Sequence, residues 1–189
     1  MQPPLPPSER DLHEAALAYL ARRSSSVARM KQVLARKIAA WSKRAEKANE
    51  TTERIAMGTV DANEAAGRVL VRLRESGFLD DAAFAKNRAE RLARVGKSRR
   101  AIEMDLAKNG VARELARNAA AHDATSELAA AVALVKRKRM GAFTRKEVDA
   151  VLRRRWLGTL ARAGYSFSTA ERALRIDRDA AEELLRELR

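Results

Sequence analysis

Arg100-Ala-Ile-Glu-Met-Asp-Leu106-Ala107-Lys108-Asn-Gly110-Val111 returns 54 positions later as Arg154-Arg-Trp-Leu-Gly-Thr-Leu160-Ala161-Arg162-Ala-Gly164-Tyr165. The core of the phrase occurs a third time at Leu34-Ala35-Arg36, 72 positions before the copy at Leu106. Self-similarity of this kind marks a chain built from one supersecondary unit used repeatedly. A tandem helical array is a surface for holding something long, which favours a binding protein over an enzyme.

The ends of the phrase predict how its helices stop. Leu73-x-x-x-Gly77-Phe78, Leu106-x-x-x-Gly110-Val111 and Leu160-x-x-x-Gly164-Tyr165 each put glycine at the left-handed position just past a helix, with apolar residues placed to close the contact around it. Start signals pair an N-cap oxygen with a carboxylate three residues on: Ser8 with Asp11, Asp61 with Glu64, Thr144 with Glu147 and Ser168 with Glu171. Together they predict helices over 9–22, 27–47, 62–76, 81–95, 99–109, 112–121, 125–139, 145–163 and 169–175, with a last one over 178–188.

The predicted fold is therefore all-α, three tandem three-helix repeats in an elongated curved array with a short C-terminal helical tail. Its divisions are a Pro-rich tail over 1–8, repeats over 9–79, 80–123 and 124–175, and an acidic tail over 176–189. Segment 42–60, charged and without a clean apolar stripe, reads as a helix extension and flexible connector. Each unit buries only a small core, so neighbouring units are expected to lean on one another.

Composition agrees. The apolar share of the 189 residues is mostly Ala and Leu, and aromatics make up 4%, an alphabet for helices rather than sheets. No stretch approaches the roughly 20 apolar residues of a membrane span, and the N-terminus lacks the apolar core of a signal peptide, so a cytoplasmic protein is expected. With no cysteine and only His13 and His122, thiolate nucleophiles and the usual zinc ligand sets are excluded. No glycine-rich loop cradles phosphate, so no nucleotide or other cofactor is expected.

The formal net charge is +14. A surplus of that size is more easily tolerated beside a polyanion or an acidic protein surface. Residues 124–175 carry 12 bases against 4 acids and are the electrostatic focus, whereas 176–189 carry 3 bases and 5 acids.

Within that focus, Lys136-Arg137-Lys138-Arg139 closes one predicted helix and Arg153-Arg154-Arg155 lies inside the next, whose apolar stripe is Val148, Leu152, Trp156, Leu160 and Ala163. Arg154 falls almost opposite Trp156, and Arg155 aligns with Arg162 seven residues on, so these guanidinium groups face solvent or a partner. Arginine forks suit phosphates and carboxylates. Lys97, Arg99 and Arg100 open the helix that Ser98 caps; basic residues there oppose the helix dipole and invite an external anion. Lys108 completes the candidate basic faces.

Asp80-Asp81 could be read as a metal or acid–base pair, and a nuclease using both with Mg²⁺ is the enzymatic alternative. The pair opens a helix, however, where Asp is a preferred N-cap, and no companion ligands stand at metal spacing. Trp41, Phe84, Trp156, Tyr165 and Phe167 could stack on bases but occur singly, and read as core.

Gly77-Phe78-Leu79-Asp80-Asp81-x-x-Phe84-Ala85, followed by Arg88, Gly96-Lys97-Ser98, Leu106 and Gly110-Val111, resembles the RecX family of regulatory proteins. Leu160-x-x-x-Gly164-Tyr165 and the opening around Ala16-Leu17-x-x-Leu20 fit as well, so that the resemblance spans roughly 12 to 175. It implies a bacterial cytoplasmic protein that binds the RecA recombinase and lodges in the groove of the RecA–DNA filament. It also implies suppression of ATPase, strand-exchange and coprotease activities, hence modulation of DNA repair, recombination and the SOS response. Direct binding of single- or double-stranded DNA, a monomeric state and no catalytic centre complete what it implies. The competing reading is an autonomous basic DNA-binding protein that needs no recombinase. The long connector 42–60 and the charge reversal after Ile176 depart from the family pattern.

Overall fold

A computed structural model describes residues 4–121 and 124–188, and among these the chain is entirely helical. Ten α-helices and one 3-10 turn follow in order: α1 Glu9–Leu20, α2 Val27–Lys47, α3 Thr52–Glu75, α4 Asp81–Arg94, α5 Arg99–Lys108, α6 Arg113–Ala119, α7 Ala124–Arg137, the 3-10 turn Gly141–Phe143, α8 Ala150–Arg162, α9 Phe167–Arg175 and α10 Arg178–Glu187. They form two compact units, Met1–Phe84 and Ala85–Arg189.

In the first unit α1, α2 and α3 pack pairwise around Leu12, Met30, Leu34, Val69 and Leu73, all fully buried. Ser8 caps α1 in a reciprocal box with Asp11, and hydrogen bonds from Ser8 hold the Asp11 carboxyl below its ordinary pKa. Glu9 ties α1 to α3 by accepting from Arg68 Nε at 2.8 Å and Arg72 Nη2 at 2.9 Å. The Arg68 hydrogen bond in particular lowers the Glu9 pKa.

The expected connector over 42–60 is not one. α2 runs unbroken to Lys47, Asn49 turns the chain at φ 60°, and Thr51 caps α3, so that only a few residues separate two long helices. Asp61 and Glu64 lie inside α3 rather than at its start. The buried face of α3 up to residue 66 is built of small residues, Gly58, Ala62, Ala65 and Ala66, and Gly58 admits the large Trp41 of α2. A Cβ at Gly58 would stand 2.5 Å from the Trp41 ring, whose Nε1 donates to Pro4 O at 2.9 Å.

The second unit has its main core around α7, α9 and α10, with Leu128, Val132, Val135, Leu160, Tyr165 and Ala173 buried together. α10 belongs to it through Ala181, Leu184 and Leu185. Two further starts differ from expectation. α8 begins at Ala150 because Asp149 Oδ1 accepts Leu152 N–H at 2.6 Å, while Thr144 instead accepts from Lys146 N–H outside any helix. Val148 consequently precedes α8 and is half exposed, while Trp156, Leu160 and Ala163 of the expected stripe pack in the core together with Leu157. α9 is capped by Ser166, two residues before the expected Ser168.

The glycine stops are as predicted: Gly77, Gly110 and Gly164 all have positive φ, and Val111 N–H and Tyr165 N–H reach back to the carbonyls of Leu106 and Leu160. At the first stop the closing residue is Leu79, buried and donating to Leu73 O, whereas Phe78 is exposed. The 136–139 cluster ends in the same way with Arg139 itself at φ 54°, a conformation that costs a side-chain-bearing residue about 1–2 kcal/mol.

Candidate functional site

The three copies of the repeated phrase divide their labour identically. Leu34, Leu106 and Leu160 are fully buried, while the alanine and the base that follow each of them are exposed. The leucine thus anchors its helix and the base is presented outward, so Lys108 and Arg162 stand on the surface as their placement predicts.

The family-like motif is structural at each carboxylate. Asp80 Oδ1 accepts Ala82 N–H at 2.7 Å and Ala83 N–H at 3.0 Å, capping α4. Asp81 Oδ1 accepts Val27 N–H at 2.8 Å, reaching back to the first turn of α2. Phe84 and Ala85 are buried. Arg88 forms a two-pronged ion pair with Asp105 of α5, its Nη2 2.9 Å from Oδ1 and its Nε on Oδ2, and this bond raises the Arg88 pKa. No cluster of three or more His, Cys, Asp or Glu among the described residues could hold a metal ion. His13 is half-buried on α1 and His122 lies outside the described residues.

The segment Gly96-Lys97-Ser98 joins the basic elements of the second unit. Gly96, at φ 75°, lies so close to α7 that a Cβ would meet the Leu134 backbone nitrogen at 2.6 Å. Arg137 donates to Val95 O. Ser98 Oγ caps α5 by accepting Ala101 N–H and itself donates to Ala163 O at 2.6 Å, at the end of α8. Gly164 abuts Ser98 and the Arg100 side chain. The start of α5, with Arg99 and Arg100, is thereby set beside the end of α8, a juxtaposition that linear spacing does not reveal.

The external anion expected at the start of α5 has an internal substitute. Glu127 of α7 accepts Arg99 N–H at 3.1 Å, and Glu103 pairs with the Arg99 guanidinium at 3.4 Å. Close by, the Tyr165 hydroxyl is buried without a hydrogen-bond partner among the described residues; burial, with the negative charge of Glu127 added, pushes its pKa up.

Pairing sorts the candidate bases. Lys136 is 3.6 Å from Glu182 of α10 and lies over the Phe143 ring; Arg153 is 3.3 Å from Glu171 of α9. Arg137 and Arg99 are engaged as described, and Arg162 contacts Thr159. Lys97, Arg100, Lys108, Lys138, Arg139, Arg154 and Arg155 are exposed and have no ion pair among the described residues. Of the aromatics, Trp41, Phe84 and Tyr165 are buried and Trp156 is partly so, as core positions should be, but Phe167 is exposed at the first turn of α9. No described helix is long and apolar enough to cross a membrane.

Residues 80–119 match the family model for the second three-helix domain of RecX. The chain is 32% identical over 167 residues to the regulatory protein RecX of Myxococcus xanthus, an alignment covering 86% of this chain and 83% of that protein. It is 40% identical over 110 residues to the regulatory protein RecX of Mycobacterium leprae, covering 57% of this chain and 64% of that one. Against the regulatory protein RecX of Agrobacterium fabrum the identity is 30% over 107 residues, 57% of each chain. No solved structure matches the chain.

Proposed function

This chain belongs to the RecX family of regulatory proteins, and from that premise we propose that it binds the RecA–DNA filament in the cytoplasm and inhibits its ATPase, strand-exchange and coprotease activities. Arg154 and Arg155 carry the contact: they are adjacent, exposed and unpaired on α8, so their charge is available to an acidic protein surface or to phosphate. Lys138, Arg139, Lys97, Arg100 and Lys108 widen this basic face, and the link from Ser98 to Ala163 supports reading α5 and α8 as one surface. The three-helix repeats over 9–79, 80–123 and 124–175 supply the scaffold, and the protein acts as a non-catalytic monomer that also binds DNA in a salt-dependent manner.

The test is ATP hydrolysis by RecA assembled on excess single-stranded DNA at fixed moderate salt. Inhibition is expected well below one protein per recombinase monomer, and Arg154→Glu/Arg155→Glu should abolish it while leaving the fold intact. A folded double variant that inhibits normally would overturn the site. Inhibition only once the protein saturates the DNA would favour an autonomous DNA binder.

A further inference from the structure

Outside the surface just described, α2 holds the densest run of uncompensated charge in the first unit. Its 21 residues include seven bases and one acid. None of the seven lies within ion-pair distance of a carboxylate among the described residues. Among the described residues their side chains bond from Arg29 to Gln32 and from Arg44 to the Ala40 carbonyl.

Helical geometry orders these charges. At 100° per residue, Arg29, Arg36, Lys43 and Lys47 fall within an arc of about 40°, on the side away from the buried stripe of Met30, Leu34, Ile38, Trp41 and Ala45. They form a row about 27 Å long. Arg36, Lys43 and Lys47 are exposed, and Ala39 and Ala40 beside them are exposed and small, which leaves the backbone of α2 open to close approach. Glu46 lies about 80° from the middle of the row on one flank, and Lys37, whose charge is felt by Asp11 of α1, about 100° from it on the other.

We infer that this row is a second nucleic-acid contact, binding the phosphodiester backbone of a duplex. Cations stepped about 10.5, 10.5 and 6 Å along one helix face complement the repeated charge of a polyanion. A duplex is favoured over a single strand because the only aromatic residue of α2, Trp41, is buried, so no base-stacking platform accompanies the row. The surface extends the nucleic-acid part of the function proposed above and rests on that reading's partner chemistry, but on different residues.

The experiment is duplex binding by the full chain, followed by fluorescence anisotropy across a salt series. Arg36→Gln/Lys43→Gln/Lys47→Gln should bind more weakly, with the slope of log K against log salt shallower by about 2.7, three phosphates at about 0.9 each. Circular dichroism should be unchanged, since all three side chains are exposed; Arg36→Gln alone, losing about 0.9 of slope, provides the reading if the triple variant is unstable. Wild-type slope in the folded variants overturns the inference, as does a wild-type chain that binds no duplex at low salt. Unaltered duplex binding combined with a lost effect on RecA would reassign the row to a protein partner and also overturn it. Failure of the proposed function is separate: wild-type protein would then leave RecA ATP hydrolysis untouched whatever its duplex binding.

Discussion

α2 and the α7–α8 region both carry a large positive surplus, and they hold it differently. Along α2 seven bases meet one acid, and among the described residues no carboxylate comes within pairing distance of them. Residues 124–175 carry 12 bases against 4 acids, yet Lys136 and Arg153 are paired, to Glu182 of α10 and to Glu171 of α9. The larger surplus is the more internally compensated one. What a partner meets is charge left over after folding, and in the second unit that remainder centres on Arg154, Arg155, Lys138 and Arg139. Exposed pairs contribute little stability, so their consequence is chiefly on binding.

The comparison breaks most visibly if the second unit loses the joint that assembles its basic face. Gly164→Ala places a Cβ 2.5 Å from Ser98 Oγ at φ 94°. It should cost about 2–3 kcal/mol, combining left-handed strain with the loss of the bond from Ser98 to Ala163. Urea unfolding measures it, and a change under about 0.5 kcal/mol, within the range of neutral surface substitutions, would show that the joint is not rigid. Arg139→Gly tests the same region with opposite sign. Glycine relieves the φ of 54° and should stabilise by about 1 kcal/mol while removing one cation from the face, so stability rises as affinity for polyanions falls. The smallest effect is expected from Glu182→Gln. Releasing Lys136 and Arg178, both paired with Glu182, should steepen the salt dependence of DNA binding by at most about 1.8, two phosphates; an unchanged slope would show that α10 withholds no charge.

Much of this was legible in the chain itself. The repeated leucine specified three buried anchors, and the glycine stops specified helix ends, because both signals are local and depend on one residue type. The first half of α3 was not legible. Its buried residues there are Gly58 and Ala62, and small residues become a core only when larger partners lie opposite, Trp41 for Gly58. The row on α2 was hidden for a different reason. Summed over residues 1–60, 11 bases and 6 acids look ordinary, because Glu9, Asp11 and Glu14 on α1 dilute a helix they do not pair with. The spacing of Arg29, Arg36 and Lys43, seven and seven, was the available signal. Pairing of Lys136 with Glu182 links distant positions that no local pattern connects.

The carboxylate of Asp81 has a bearing on how the protein is made. It accepts the Val27 amide across 54 residues, so the first turn of α2 lacks that ligand until synthesis has passed the Asp80-Asp81 pair. A nascent chain halted before residue 81 can gather α1, α2 and α3, with Ser26 already accepting Arg29 N–H at 3.1 Å, but its Val27 amide waits for its partner. The motif at the end of the first unit is thus a clasp that shuts late, closing a long loop only after the elements it secures have collapsed.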